Sequence, residues 1–188
     1  MHDSLESGPQ NNGTESASIT RIVNALEAFA HAETLDETLR VLEKQQAVLL
    51  LPDTLATIQL MIDDMFANKQ NGDARNWRQY LHLLENARQQ GIEPAWHYFM
   101  TQQSNAVQAI DALTTAANAD ELHQTIMTYQ DALLSDAAFV ILENTIQRQR
   151  SFVPWEAVEY WQQLLGFLED AQTHGIAAAW VIFESQEL

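Results

Sequence analysis

Apolar side chains recur three and four positions apart along almost the whole chain, the spacing that lines one face of a helix. Ile19, Ile22, Val23, Leu26, Phe29 and Ala30 predict a first helix starting near Ser18 or Thr20. Thr34 precedes Glu37 by three positions, a capping-box pattern that starts a second helix carrying Leu35, Leu39 and Leu42. Leu51-Pro52-Asp53 opens a third, because proline is tolerated where a helical N–H has no partner; it buries Leu55, Ile58, Ile62 and Met65. Asn71-Gly72 is expected as the turn before a fourth helix, whose stripe is Trp77, Tyr80, Leu81, Leu84 and Ala87.

The same order then returns. Trp77, Leu81, Leu84, Glu85, Ala87, Gly91, Ile92, Ala95, Trp96 and Phe99 reappear at Trp161, Leu165, Leu168, Glu169, Ala171, Gly175, Ile176, Ala179, Trp180 and Phe183. The offset is constant at about 84 residues, the mark of an internal duplication. Asn118 and Glu121 repeat the cap of Thr34 and Glu37, and Leu122, Ile126 and Tyr129 make the matching second helix. Ser135 is an N-cap for a helix carrying Phe139, Leu142 and Ile146. Gly91 and Gly175 each follow a periodic stripe and are expected in the left-handed conformation, with Ile92 and Ile176 closing Schellman caps. No breaker lies between Ala95 and Ala117, which predicts one helix of roughly 24 residues ending the first copy and starting the second.

The expected fold is therefore all-α: two tandem four-helix units, residues 19–103 and 104–188, stacked through a shared long helix as a solenoid. Residues 1–18 are polar, with Gly8, Pro9 and Gly13, and read as a disordered arm or, alternatively, a short partner-binding motif. The segments Leu81 to Trp96 and Leu165 to Trp180 resemble helical repeats of large bacterial proteins, where they accompany tetratricopeptide repeats and caspase-like CHAT protease domains. The resemblance implies a scaffold or partner-binding role and carries over no catalytic residue.

Charge narrows the partners. Twenty-six Asp and Glu against nine Lys and Arg give a formal charge of −17. Phosphate neutralisation needs cations, so nucleic acid is not an expected partner, nor is an anionic membrane surface. A basic protein suits this surface, as does simple solubility. No cysteine is present, which removes thiol chemistry and fits the cytoplasm. Residues 1–18 show no basic region followed by an apolar one, so no secretory signal is expected there. The longest apolar run, Ala47 to Leu51, falls far short of the roughly 20 residues of a membrane span.

Candidate chemistry is thin. Gly-rich phosphate loops, nucleophile elbows and paired Glu-x-x-His motifs are all missing, so neither catalytic, cofactor nor metal residues are assigned. Glu93 and His97 lie four apart and could share a metal, although a surface pair is the simpler reading. Four of the five tryptophans are paired by the repeat and read as core, whereas Trp155 has Asn71 as its counterpart. With Phe152 it either plugs the end of the stack or marks a contact surface. The basic cluster Lys69, Arg75 and Arg78, and the repeated Gln79 and Gln163, are the other candidates for partner contact. The expected function is a non-catalytic acidic scaffold or adaptor. Alternatives are a small acidic chaperone for a basic partner, and an enzyme or small-ligand binder with a pocket between the copies. A cavity shared by His97, Glu93 and a further carboxylate would overturn this ranking and place that last reading above the scaffold. Apolar end faces also allow a homo-oligomer.

Overall fold

Local capping chemistry starts the helices where the sequence places it. Thr34 Oγ1 accepts from the Glu37 N–H at 3.2 Å, and Asn118 Oδ1 accepts from the Glu121 N–H at 2.9 Å. The two glutamates reach back alike: Glu37 accepts from the Glu33 N–H and Glu121 from the Ala117 N–H, both at 2.9 Å. Each closes a capping box one residue before its usual partner. Ser135 Oγ accepts from the Ala138 N–H at 3.3 Å, and Pro52 stands in the first turn of its helix.

A computed structural model describes residues 12–149 and 155–186, with side chains at 18–149 and 158–183. It contains α1 (Asn12–Ala30), α2 (Leu35–Leu49), α3 (Pro52–Ala67), α4 (Asn71–Gln90) and α5 (Ile92–Thr115). After these come α6 (Ala119–Thr128), α7 (Gln130–Leu133), α8 (Asp136–Gln149), α9 (Trp155–His174) and α10 (Ile176–Gln186). No strand occurs among the described residues, so the fold is all-helical. None of these helices is long and apolar enough to cross a membrane.

Two buried clusters divide the interior. The first runs from Ile22 on α1 to Phe99 on α5; the second runs from Ala106 on α5 to Phe183 on α10. The 24-residue α5 supplies both, Ala95 and Phe99 to one and Ala106, Ala109, Ile110 and Leu113 to the other. Residues one offset apart share their burial: Leu49 with Leu133, Leu84 with Leu168, Ala95 with Ala179, Phe99 with Phe183. Burial of such side chains stabilises by about 1.5–3 kcal/mol each.

Several boundaries differ from the sequence expectation. Helix α1 starts at Asn12 rather than near Ser18, and its inner face is Ile22, Ala25, Leu26 and Phe29, while Ile19 and Val23 face solvent. The small Ala25 side chain turns inward in place of Val23. Asn71-Gly72 is the first turn of α4, not the turn before it. The break lies at Asn68–Gln70, with Lys69 in the left-handed region at φ 61°. There the Gln70 N–H bonds Met65 O at 2.9 Å and the Lys69 N–H bonds Phe66 O at 3.1 Å, the two bonds of a Schellman motif.

Gly91, expected to carry that motif, does something else. Its φ is 95° and its ψ 162°, outside the left-handed helical region and open essentially to glycine alone. Gly91 thus ends α4 and caps α5 within one residue. The second-half helix matching α2 is also interrupted: it stops at Thr128, and Tyr129, expected on its buried face, is exposed. Of the paired tryptophans only Trp180 is fully buried; Trp77, Trp96 and Trp161 are half-buried at the edges of the cores.

Candidate functional site

Helix α4 carries two stripes. Leu81, Leu84 and Ala87 enter the first core, while Arg75, Gln79, His82 and Asn86, at i, i+4, i+7 and i+11, form a second face. Helix α8 lies against the Arg75–Gln79 end of this second face and against α5.

Arg75 is the centre of the contact. Its side chain is 6% exposed and its guanidinium lies 4.1 Å above the Phe139 ring. Nη1 donates to Glu143 Oε1 at 3.0 Å and Nη2 to Glu169 Oε1 at 3.1 Å, so one cation bridges α8 and α9. Nε is buried with no hydrogen-bond partner. Gly72, one turn earlier, faces the Glu143 carboxylate so closely that a Cβ there would require the carboxylate to shift. Three positions on, Arg78 forms a forked pair with Asp136, with Nε to Oδ2 at 2.6 Å, at the first residue of α8. Gln79 donates to the Asp136 carbonyl at 3.5 Å and accepts from Gln103 at 2.5 Å.

The electrostatics follow from this geometry. Burial pushes the Glu143 carboxyl above its ordinary value; Arg75 opposes the shift, and Glu169 and Asp73 add to it. The hydrogen bond that Arg78 donates to Asp136 holds its guanidinium above its ordinary value, against the effect of burial. Burial likewise raises the Tyr80 phenol, whose hydrogen bond with Thr38 works the other way.

Of the residues picked out as partner contacts, Arg75 and Arg78 instead join parts of this chain. Arg75 is too buried to reach a partner. Gln79 is engaged in the same contact, whereas its counterpart Gln163 is exposed on α9. Lys69 is exposed in the α3–α4 turn. Phe152 lies outside the described residues, as does the side chain of Trp155. Asp136, Glu143 and Glu169, the acids that complete the cluster, have no local sequence signal. Their partners stand 58, 68 and 94 positions away.

Three of the surface depressions bear on these residues. A groove of about 940 Å³ between α2 and α5 is lined by Glu43, Glu93, His97, Trp96 and Met100, among others. It brings together His97, Glu93 and a further carboxylate, yet among the described residues no three His, Asp or Glu side chains are placed to hold a metal ion. A cleft of about 300 Å³ lies where α4 and α5 meet the start of α8, with Leu83 and Phe99 as apolar walls and His82, Asn86, Gln102 and Gln103 around them. A polar depression of about 510 Å³ has Lys69, Asp73, Glu143 and Glu169 on its walls. Glu143 combines a shifted carboxyl with this depression, but its oxygen is committed to Arg75. Comparison with protein-family models, with curated proteins and with solved structures finds no match to this chain.

Proposed function

We propose that the chain is a duplicated helical-repeat scaffold, non-catalytic, whose acidic surface engages a basic protein partner. The observation that supports this reading is the agreement of unrelated features at one offset. Caps at Thr34 and Asn118, positive-φ glycines at 91 and 175, and buried pairs such as Leu84 and Leu168 all recur. Two units joined through α5 make a solenoid-like body, and such bodies work through their surfaces. The tetratricopeptide-like resemblance of Leu81 to Trp96 points the same way. A charge of −17 favours a basic partner, and a cysteine-free chain suits a reducing, cytoplasmic setting. Affinity capture from native lysate, in low salt and again in high salt, tests the reading. A basic protein retained in near-equal amount and released by salt is the expected result. No protein retained in low salt would sink it.

A small-ligand binder is the second reading, and the α2–α5 groove favours it. Glu43, Glu93 and His97 share that groove, the arrangement expected to rank this reading above the scaffold. Their failure to converge on one ion keeps it second. A thermal-shift screen of divalent cations and small metabolites decides it: a rise lost in His97→Ala would promote this reading above the scaffold, and no shift would end it.

A further inference from the structure

The α9–α10 hairpin repeats the geometry of α4–α5. Gly91 and Gly175 have φ of 95° and 87°, and their N–H groups bond Ala87 O and Ala171 O, both at 2.9 Å. Beyond each glycine, Ala95 and Ala179 are buried against the preceding helix, and Phe99 and Phe183 are each 7% exposed. The two hairpins differ in what lies on them. On the first, α8 covers Arg75 and Gln79 of the second face of α4, while His82 stays exposed beside the cleft at the start of α8. One offset later that face is Glu159, Gln163, Gly166 and Asp170; Glu159, Gln163 and Asp170 are solvent-exposed.

The charge on this second face is reversed. Arg75 and Arg78 select acids on the docking helix, Glu143 and Asp136. Their counterparts are Glu159 and Gln162, and no Lys or Arg occurs after Arg150. Gly166 adds a second observation. A mid-helix glycine costs about 1 kcal/mol relative to alanine, and a Cβ built here meets nothing within 4 Å. Nothing within the described chain calls for its small size, whereas close approach of another helix would.

We propose that the α9–α10 face receives a basic helix from a partner protein, in the way that α4–α5 receives α8. The helix carries Lys or Arg where α8 has Glu143, a neutral residue where α8 has Asp136, and small or apolar residues at the places of Ala137 and Val140. Helix α3 of a second copy does not suit this role. Helix α3, which stands one offset before α8, has Gln59 and Pro52 at those two charged places and exposes Asp53 and Asp63. The inference rests on the duplication and scaffold reading above and names the surface and the partner's chemistry.

The test uses the full chain and two lactam-bridged helical peptides copying residues 134–149, one with the natural sequence and one with Glu143→Lys. Amide chemical shifts report where each binds. The lysine peptide is expected to perturb α9 and α10 and to bind about tenfold more tightly there than the natural peptide, the scale of one paired charge. Glu159→Lys, at an exposed position whose helicity is checked by circular dichroism, should reverse the preference. Perturbation confined to other helices, no perturbation by the lysine peptide, or a preference indifferent to Glu159→Lys each overturns the proposal. Capture of a partner that ignores Glu159→Lys would sink this surface and leave the scaffold reading standing. Peptide binding here with nothing captured from lysate would do the reverse.

Discussion

Helices α4 and α9 have nearly the same inner stripe and opposite outer ones. Leu84 and Leu168 are each fully buried, and Ala87 and Ala171 nearly so. Outside, Arg75 is 5% exposed between two carboxylates, whereas Glu159 at the same place is in solvent. Inner positions must fill a core, so their chemistry is held to apolar residues of similar volume. Outer positions answer to whatever packs on them, so their chemistry is free to change sign. The contrast teaches that the positions alike on the two helices describe how a core is filled, and the unlike ones describe what each helix touches.

The largest effect expected is at Arg75. Arg75→Ala leaves the half-buried Glu143 unpaired and removes the packing above Phe139, which costs up to about 3–5 kcal/mol in urea unfolding. Glu159→Ala should stay within about 0.5 kcal/mol of the parent. Equal losses at the two positions would erase the contrast.

The glycines sharpen it next. Gly91→Ala forces a Cβ into backbone space that L side chains rarely adopt, at a cost of about 1–3 kcal/mol. Gly166→Ala gains about 0.5–1 kcal/mol from helix propensity, since open space surrounds its Cβ position. Thermal unfolding of both variants checks the opposite signs. A loss at Gly166 would show that α9 is already closely packed there.

The pH dependence of Glu143 is smaller and has a definite direction. Burial raises its folded pKa above the ordinary carboxylate value. Its contribution to stability is therefore fully present below the unfolded pKa and is lost as pH rises through the folded one. The stability of the parent relative to Glu143→Gln should rise as pH falls from neutral toward that range. Paired urea titrations at the two ends of the window measure it. A difference that falls instead would mean that Arg75 outweighs burial.

Lys69→Gly is the smallest effect. It relieves a left-handed lysine in the α3–α4 turn, and glycine's extra freedom in the unfolded chain offsets part of the gain, so stabilisation stays below about 1 kcal/mol. Calorimetry reads it, and destabilisation would imply that the exposed lysine contributes more than its strain costs.

What the sequence alone determined about this protein is what neighbouring residues decide among themselves. The helix starts at Thr34, Asn118, Pro52 and Ser135 were legible because a cap acts within three or four positions. The long α5 was legible because Pro94 falls in its first turn, where proline is tolerated, and no breaker follows it. The turn at Asn68–Gln70 was less so: it rests on a left-handed lysine, while the stronger turn signal, Asn71-Gly72, lies inside a helix. At Gly91 the positive φ was legible and the ψ was not, because the next helix had to start at once. Arg75 is the clearest limit. In one dimension it is a surface cation within a basic cluster; only the packing of α8 across α4 buries it between Glu143 and Glu169. Pairing across 68 and 94 residues is set by how helices stack, and stacking depends on the shapes of faces that no local pattern records.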